Sequence, residues 1–448
     1  MKLNRLLLGS TLVAALGGFL FGFDTAVISG TTEALRHVYQ LTSGQLGFTV
    51  ASALIGTILG SLAAGTPAEQ LGRRRTLLVL GILFFVSALG CGVAWDWFSL
   101  MFFRFIGGLA IGGASVVSPM YIAEIAPPQS RGRLVAVSQF NTVLGILAAY
   151  FTNYVIAAIF SAQAGDGGSV AWRWMFGIEA VPAVFFFFLV LQIPESPRWL
   201  VKRHRRQEAL KVLSQLGNEN PEKLFSEIVE SLHEETVSVA EPFFIAKYRK
   251  PILLAVMVAS FNQLSGINAV IYYTADIFRM AGAEQASALF QSVMIGVACL
   301  VSTVLAMTVI DRFGRKSLLL IGASGMTLCL GLTAYAFYEK IGGAWVLLSL
   351  IGYIAFFAFS QGSVIWVFLS EIFPNRVRAR GQALGSFTHW GWCAVVSWSF
   401  PVVAEQSGGH AFLFFALMMV VQLVMVLKLL PETKGVSLEQ IQLKLGIE

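Results

Sequence analysis

The chain has 448 residues, of which 56% are hydrophobic and only 12% charged, and its mean hydropathy is +0.73. A soluble domain averages about 25% charged residues, so too little polar surface is present to cover a water-soluble particle of this size, and the apolar excess requires lipid. The net charge of +6 would suggest nucleic acid in a soluble protein, but its placement along this chain points elsewhere.

Apolar stretches long enough to cross a hydrocarbon core of roughly 30 Å recur at about 7–30, 46–68, 76–95, 100–126, 133–160 and 172–193. Six more follow at about 251–279, 288–310, 317–339, 344–371, 381–405 and 410–430. The first is not expected to be a cleavable signal peptide, because it carries Asp24 and no small-residue cleavage site precedes the next span. Basic residues collect at alternate ends. Arg73, Arg74 and Arg75 follow span 2; Arg131 and Arg133 follow span 4; Lys202, Arg203, Arg205 and Arg206 follow span 6. Arg312, Arg315 and Lys316 follow span 8, and Arg376, Arg378 and Arg380 follow span 10, whereas the opposite loops hold only scattered charges such as Arg36, Arg279 and Lys340. The positive-inside rule then places both termini in the cytoplasm. Between spans 6 and 7, residues 195–248 form the one sizeable polar insert. Leu200, Val201, Leu210, Val212, Leu213, Leu216, Leu224, Ile228 and Leu232 recur there at three- and four-residue steps, which predicts short amphipathic helices on the cytoplasmic face.

The two halves repeat one another. Glu124, Arg131 and Arg133 recur as Glu371, Arg378 and Arg380; Gly72-Arg73-Arg74 recurs as Gly314-Arg315-Lys316; Pro194-Glu195-Ser196 recurs as Pro431-Glu432-Thr433. The offsets are 247, 242 and 237 residues, so the insertions separating them are small and the register is shared. Parallel six-helix repeats with a substrate site near the bilayer midplane are the construction of major facilitator transporters. The expected fold is therefore an all-α polytopic membrane protein of the major facilitator type, with twelve transmembrane helices in two six-helix bundles. The expected divisions are an N-terminal bundle over 1–194, a helical linker over 195–248, a C-terminal bundle over 249–431 and a short cytoplasmic tail over 432–448. Arg74, Glu124, Arg131, Arg133, Glu195, Arg198, Arg315, Glu371, Arg378 and Arg380 are candidates for a cytoplasmic latch that closes the halves on the inside while the outside is open. Plain anchoring and orientation is the simpler reading, but it would not need acidic partners at fixed spacing.

Several longer stretches carry a resemblance. They are GFLFGFDTAVISG (18–30), PMYIAEIAPPQSRGR (119–133), WRWMF (172–176), PESPRWL (194–200), NQLSGINAVIYY (262–273), DRFGRK (311–316), WVFLSEIFPNRVRARG (366–381) and PETKG (431–435). Together they span nearly the whole chain and resemble the sugar porter family of the major facilitator superfamily, which includes bacterial sugar–proton symporters such as the xylose–proton symporter and human facilitative glucose and fructose transporters.

Asp24 stands alone in span 1. A charge at bilayer depth costs roughly 2.5–3.5 kcal/mol on the mildest scale, so such residues face the bundle interior and are generally functional. Arg104 in span 4 is its natural partner, and Glu179 in span 6 is a second carboxylate in the same half. Desolvation raises a carboxylate pKa and a neighbouring guanidinium lowers it, so separating such a pair changes its proton affinity. The resemblance implies that Asp24 carries the proton with Arg104 as its switch partner and Glu179 nearby, since passive family members have Asn at the Asp24 position. A static ion pair is the structural alternative.

A sugar needs planar hydrogen-bonding groups and aromatic faces. Spans 7, 10 and 11 supply Asn262, Gln263, Asn268 and Tyr272 around Gly266, Trp366 after the Ser360-Gln361-Gly362-Ser363 break, and the His389-Trp390 pair. The resemblance aligns Gln263, Asn268, Gly362 and Trp366 with sugar-contacting positions, and His389 and Trp390 with an amide–Trp pair. A lone Trp is as readily packing or interfacial, and a lone Asn as readily helix–helix glue. Departures from the family pattern stand at Ile146, Cys299 and Asn262, where hydrogen-bonding residues are replaced. His389 is fructose-like and Trp366 glucose-like.

The resemblance thus implies proton symport of a monosaccharide, most simply glucose or fructose, with a passive uniporter or an inositol-type polyol carrier as alternatives. A non-transporting sugar sensor is the remote alternative; a signalling tail is not expected on this chain. An enzyme is not expected, because no metal spacing or nucleophile–base arrangement is left over. Cys91, Cys299, Cys329 and Cys393 read as small core residues, and His37, His204, His233 and His410 as solvated side chains. No cofactor or metal is implied beyond the proton gradient, and a monomer suffices. The absence of an N-glycosylation sequon and the short tails suggest a bacterial inner membrane.

Overall fold

The computed structural model describes residues 4–127, 130–161, 167–237, 242–309, 313–374, 376–434, 440–441 and 447. Arg312, one of the basic residues expected after span 8, lies outside them.

Among the described residues, eleven helices combine the length and apolar composition needed to cross a membrane. They are α1 (Arg5–Gly30), α2 (Ser43–Ala63), α3 (Arg73–Gly92), α4 (Trp97–Ile125), α5 (Arg131–Ser161), α6 (Val170–Val190), α7 (Ala246–Tyr272), α8 (Gln285–Thr308), α9 (Arg315–Tyr338), α10 (Ala344–Glu371) and, after one intervening helix, α12 (Gly408–Leu429). The twelfth expected span is α11 (Arg378–Gln406), 29 residues long. It stands outside that apolar set because it carries Arg378, Arg380, Gln382, His389, Glu405 and Gln406. Its buried residues, Gly381, Gly385, His389, Trp390, Cys393, Val396, Ser397, Phe400, Pro401 and Ala404, follow three- and four-residue steps with neighbours on the same side. One face therefore turns inward, and the polar centre of the helix does not meet lipid.

Among the described residues, three spans are interrupted. α6 breaks at Ile178 and Glu179, between the helical runs Gly167–Gly177 and Ala180–Val190. α7 breaks at Gly266, whose φ of +85° is left-handed backbone that an L side chain rarely adopts. α10 breaks at Ser360 (φ −112°, ψ −93°), between Ala344–Phe359 and Gln361–Glu371. Broken backbone at bilayer depth is tolerated only where protein or a cavity covers it, so these breaks mark where the interior is polar.

The 195–248 insert folds as the sequence pattern predicts, into helices Pro197–Lys202, Arg206–Gln215 and Pro221–Val237. Ser196 caps the first by accepting the Trp199 amide at 3.2 Å. Leu200, Val201, Val212, Leu213 and Leu216 are buried, and Ile228 and Leu232 pack on the same core.

The described residues group into two compact units. One holds Met1–Thr25, Ile55–Ala149 and Arg173–Val239; the other holds Ala26–Leu54, Tyr150–Trp172 and Ala240–Glu448. The core of the first is built from residues such as Leu77, Leu80, Phe84, Ala110, Ala114, Val117, Tyr121 and Phe186, and extends to Leu200 and Leu216 of the insert. The second has a core around Leu254, Val258, Leu318, Val364, Phe368, Phe373 and Val426. It also takes in the ends of α1 and α5 remote from the Arg-rich loops. There Tyr150 donates to the Ile271 carbonyl at 2.7 Å and lies 2.8 Å from the Thr274 hydroxyl. Asn153 donates to the Val27 carbonyl at 2.9 Å, and Arg279 forms ion pairs with Glu33 and Asp276. None of these six polar partners was a candidate from sequence, where polar residues toward a span end read as interfacial by default.

Candidate functional site

In the first unit, α1 and α4 bring Asp24 and Arg104 together. Both side chains are 2% exposed, and an Arg104 Nη1 donates to Asp24 Oδ1. The guanidinium also lies 5.6 Å from the centre of the Phe176 ring on α6, a cation–π distance. Gly107, one turn beyond Arg104, makes the room: a Cβ there would stand 2.7 Å from Asp24 Oδ2 and 2.5 Å from the Ser87 hydroxyl oxygen. Glu179 sits at the α6 break and is buried, with Asp24 and Arg104 as its electrostatic neighbours. Its Oε1 has no hydrogen-bond partner among the described residues. The three residues singled out in sequence thus meet as one buried cluster of two carboxylates and one guanidinium. Burial makes each charge depend on the others, because an unpaired ion there is costly.

The second unit gathers the amide and aromatic candidates. Asn262 and Gln263 precede the α7 break and are buried. Gln263 Nε2 donates to Asn262 Oδ1 at 3.0 Å, while Gln263 Oε1 accepts from Asn268 Nδ2 at 2.7 Å. His389 on α11 lies with its two ring nitrogens 3.3 and 3.2 Å from Gln263 Nε2. The Trp366 ring is 5.2 Å from the imidazole, and Trp390 packs edge-on to it at 5.0 Å. Trp366 remains 43% exposed. Tyr272 is buried, and both it and Asn268 reach the Cys393 thiol. Gly362 sits in the first turn after the α10 break, where a Cβ would meet Phe357 at 3.2 Å. Ile146 is buried in the first unit, and Cys299 is half-buried in the second.

The latch candidates divide. In the first unit Arg73 clamps Glu124, with Nη2–Oε1 at 2.8 Å and Nε–Oε2 at 2.9 Å, and also reaches Glu69 at 3.0 Å. Glu195 accepts the backbone amides of Arg73 at 2.9 Å and Ser196 at 2.8 Å. The second unit repeats this: Arg315 pairs with Glu371 at 3.0 Å, and Glu432 accepts the Arg315 and Lys316 amides at 2.9 and 3.1 Å. Sequence reasoning named Arg74 and missed Arg73. Arg74 instead donates to the carbonyls of Val190 and Leu191 at the end of α6, as Lys316 does to Leu427 at the end of α12, where cations suit the helix dipole. The 242-residue register between Gly72 and Gly314 already matched Arg73 with Arg315 and Arg74 with Lys316, and would have found the pairing. Arg131, Arg133 and Arg380 are exposed, Arg198 is half-buried, and Arg378 donates to the Phe373 carbonyl at 3.4 Å.

Burial raises the Glu195 carboxyl above its usual range, against the lowering by the backbone amides of Ser196, Arg74 and Arg73. Burial alone would raise Glu69 too, but Lys202 and Arg73 together hold it below its usual value. Among the described residues no group of three or more His, Cys, Asp or Glu could hold a metal ion. All four cysteines are free, and His37, His204, His233 and His410 are exposed.

Broken membrane-crossing helices, a buried charge cluster in one unit and a buried amide cluster in the other define an integral membrane protein of the transporter class. The profile of the family described as "Sugar (and other) transporter" matches residues 10–445. The chain is 38% identical to the D-xylose-proton symporter of Escherichia coli strain K12, over 96% of this chain and 94% of that protein. It is 36% identical to the arabinose-proton symporter of Bacillus subtilis, over 96% and 93%. Its fold is similar to the partially occluded inward open conformation of the xylose transporter XylE from E. coli, with a TM-score of 0.86 and 37% identity over 97% of this chain and 100% of that one. The chain belongs to the sugar porter family of the major facilitator superfamily.

Proposed function

We propose that this protein carries out secondary active transport of a monosaccharide by proton symport with alternating access. Its two six-helix halves, 1–194 and 249–431, would move about the linker 195–248. The observation that carries the reading is the fully buried Asp24–Arg104 pair, with Glu179 as a second buried carboxylate. A fixed guanidinium opposite a carboxylate favours its ionised form, and separating the two favours the protonated form. A cycle that opens and closes this pair therefore takes up and releases a proton. Asn262, Gln263, Asn268, Tyr272, Gly362, Trp366, His389 and Trp390 form the sugar site in this reading. Both relatives named above are proton symporters by name, which supports the coupling.

A hexose, glucose or fructose, suits the Trp366–His389 pairing, whereas the relatives' names add the pentoses xylose and arabinose. The paired charge clusters around Glu124 and Glu371 serve as the cytoplasmic latch. The setting proposed is a bacterial inner membrane, with both termini cytoplasmic and a monomer as the working unit.

The test is uptake of labelled D-glucose, D-fructose, D-xylose, L-arabinose and myo-inositol into proteoliposomes, with and without an inward proton gradient, for the native chain and Asp24→Asn. Accumulation that needs the gradient, together with an Asp24→Asn variant that exchanges sugar without accumulating it, is the expected result. Equal equilibration by both proteins with no gradient effect makes the pair structural and the protein a uniporter.

A further inference from the structure

The α7 amides are tied to α12 by a second pair of glutamines that lies outside the sugar site. Gln422 is the single polar residue between His410 and Lys428 on α12, and it is 1% exposed. Its Oε1 accepts from Gln361 Nε2 at 2.6 Å. Gln361 is equally buried and opens the second half of α10, directly after the Ser360 break. Its backbone carbonyl accepts from Asn262 Nδ2 at 3.4 Å. Asn262 Oδ1 in turn accepts from Gln263 Nε2, and Gln263 Oε1 from Asn268. An unbroken run of amides therefore leads from α12 through the α10 break to the α7 residues assigned to sugar.

Two features give this run a direction. Gln361 Oε1 is buried with no hydrogen-bond partner among the described residues. Its carboxamide is thus oriented by Gln422, with only a weak contact to the Met419 sulfur at 3.4 Å beside it. Gln361 is the first residue of the second helical run, where the N–H groups have no partner within that run, so the start of the run is held by side-chain contacts as well as by the helix. We propose that Gln361 and Gln422 are positioning residues for sugar recognition: their amide pair sets the α10 break and, through the Gln361 carbonyl and Asn262, the orientation of the Gln263 carboxamide. This rests on the assignment of Gln263 to the sugar site. An amide flipped or loosened by one step presents an acceptor where a donor is required, and buried hydroxyls discriminate sharply against such mismatches.

The experiment is counterflow exchange of labelled D-glucose, D-fructose and D-xylose in proteoliposomes, without a gradient, for native protein, Gln422→Leu, Gln422→Glu and Gln263→Leu. Gln422→Met stands in for Gln422→Leu should the latter fail to fold. Gln422→Leu is expected to raise the half-saturation concentration about tenfold, the equivalent of one hydrogen bond, with maximal exchange per folded carrier within about twofold of native. Gln422→Glu, held in its neutral protonated form because a charge at this depth is costly, keeps a carbonyl acceptor for Gln361 Nε2 and is expected to give the native half-saturation. A merely structural pair would lower the amount of folded carrier and leave half-saturation untouched, which overturns the proposal, as does failure of the Glu variant to restore it. If Gln263→Leu leaves half-saturation unchanged, or none of the sugars exchanges, the site assignment fails and the inference with it. If Gln263→Leu raises it and Gln422→Leu does not, only the positioning role fails.

Discussion

Replacing Gly107 by alanine tests the Asp24–Arg104 pair without removing either charge. The new Cβ would lie 2.7 Å from Asp24 Oδ2 and 2.5 Å from the Ser87 oxygen. Both are tips of side chains rather than backbone, so they can retreat, by roughly 1 Å to reach ordinary van der Waals separation. Overpacking of this kind costs about 1–3 kcal/mol, which a folded carrier survives. The ion pair responds differently. Widening a charge pair from about 3 to about 4 Å weakens it by on the order of 1 kcal/mol at an effective dielectric of about 20, a shift of five- to tenfold toward the separated state. Proteoliposomes with a gradient of about one pH unit supply one proton's worth of driving force, so native accumulation is bounded near tenfold. Gly107→Ala is expected to cut that accumulation severalfold while counterflow exchange persists. Gly9→Ala, where a Cβ meets nothing within 4 Å, is the matched control and should behave as native. Undiminished accumulation by Gly107→Ala would refute the idea that the contact geometry of this pair governs coupling.

Other expected outcomes concern the ion pairs and the α7 break. Arg73→Ala should destabilise more than Arg315→Ala in thermal unfolding of the solubilised protein. The Arg73–Glu124 side chains are 6% and 10% exposed, against 14% and 23% for Arg315–Glu371, and breaking a well-buried pair costs about 3–5 kcal/mol; equal losses would contradict the burial argument. Glu69 is held below the usual glutamate range by Lys202 and Arg73 acting against burial. Its stabilisation is therefore complete above the unfolded-state value and lost as pH falls through the folded one, so the melting temperatures of native protein and Glu69→Gln should converge on acidification below about pH 4. Gly266→Ala must adopt a left-handed φ and drive its Cβ into the Phe415 ring, at on the order of 1–3 kcal/mol for the backbone alone. Loss of sugar exchange with a lowered melting temperature is expected, and native-like exchange would show that the α7 break is dispensable.

Much of this protein is determined by its sequence alone, because lipid imposes constraints that can be read along one dimension. Span length, the rhythm of basic loops and the three- and four-residue steps of Leu200 to Leu232 each depend only on local helix geometry and on what the bilayer will solvate. A lone carboxylate such as Asp24 is legible for the same reason: burial in lipid is so costly that an inward partner must exist. Which partner a residue takes was decided only in three dimensions. Arg73 rather than Arg74 meets Glu124, Gly107 clears the space for Asp24, and Gln422 reaches Gln361 across 61 residues of chain. These pairings depend on the faces that crossing helices turn to one another and on the breaks at Glu179, Gly266 and Ser360. Neighbouring positions on one helix differ by about 100° in direction, a distinction that charge and composition do not encode but packing resolves.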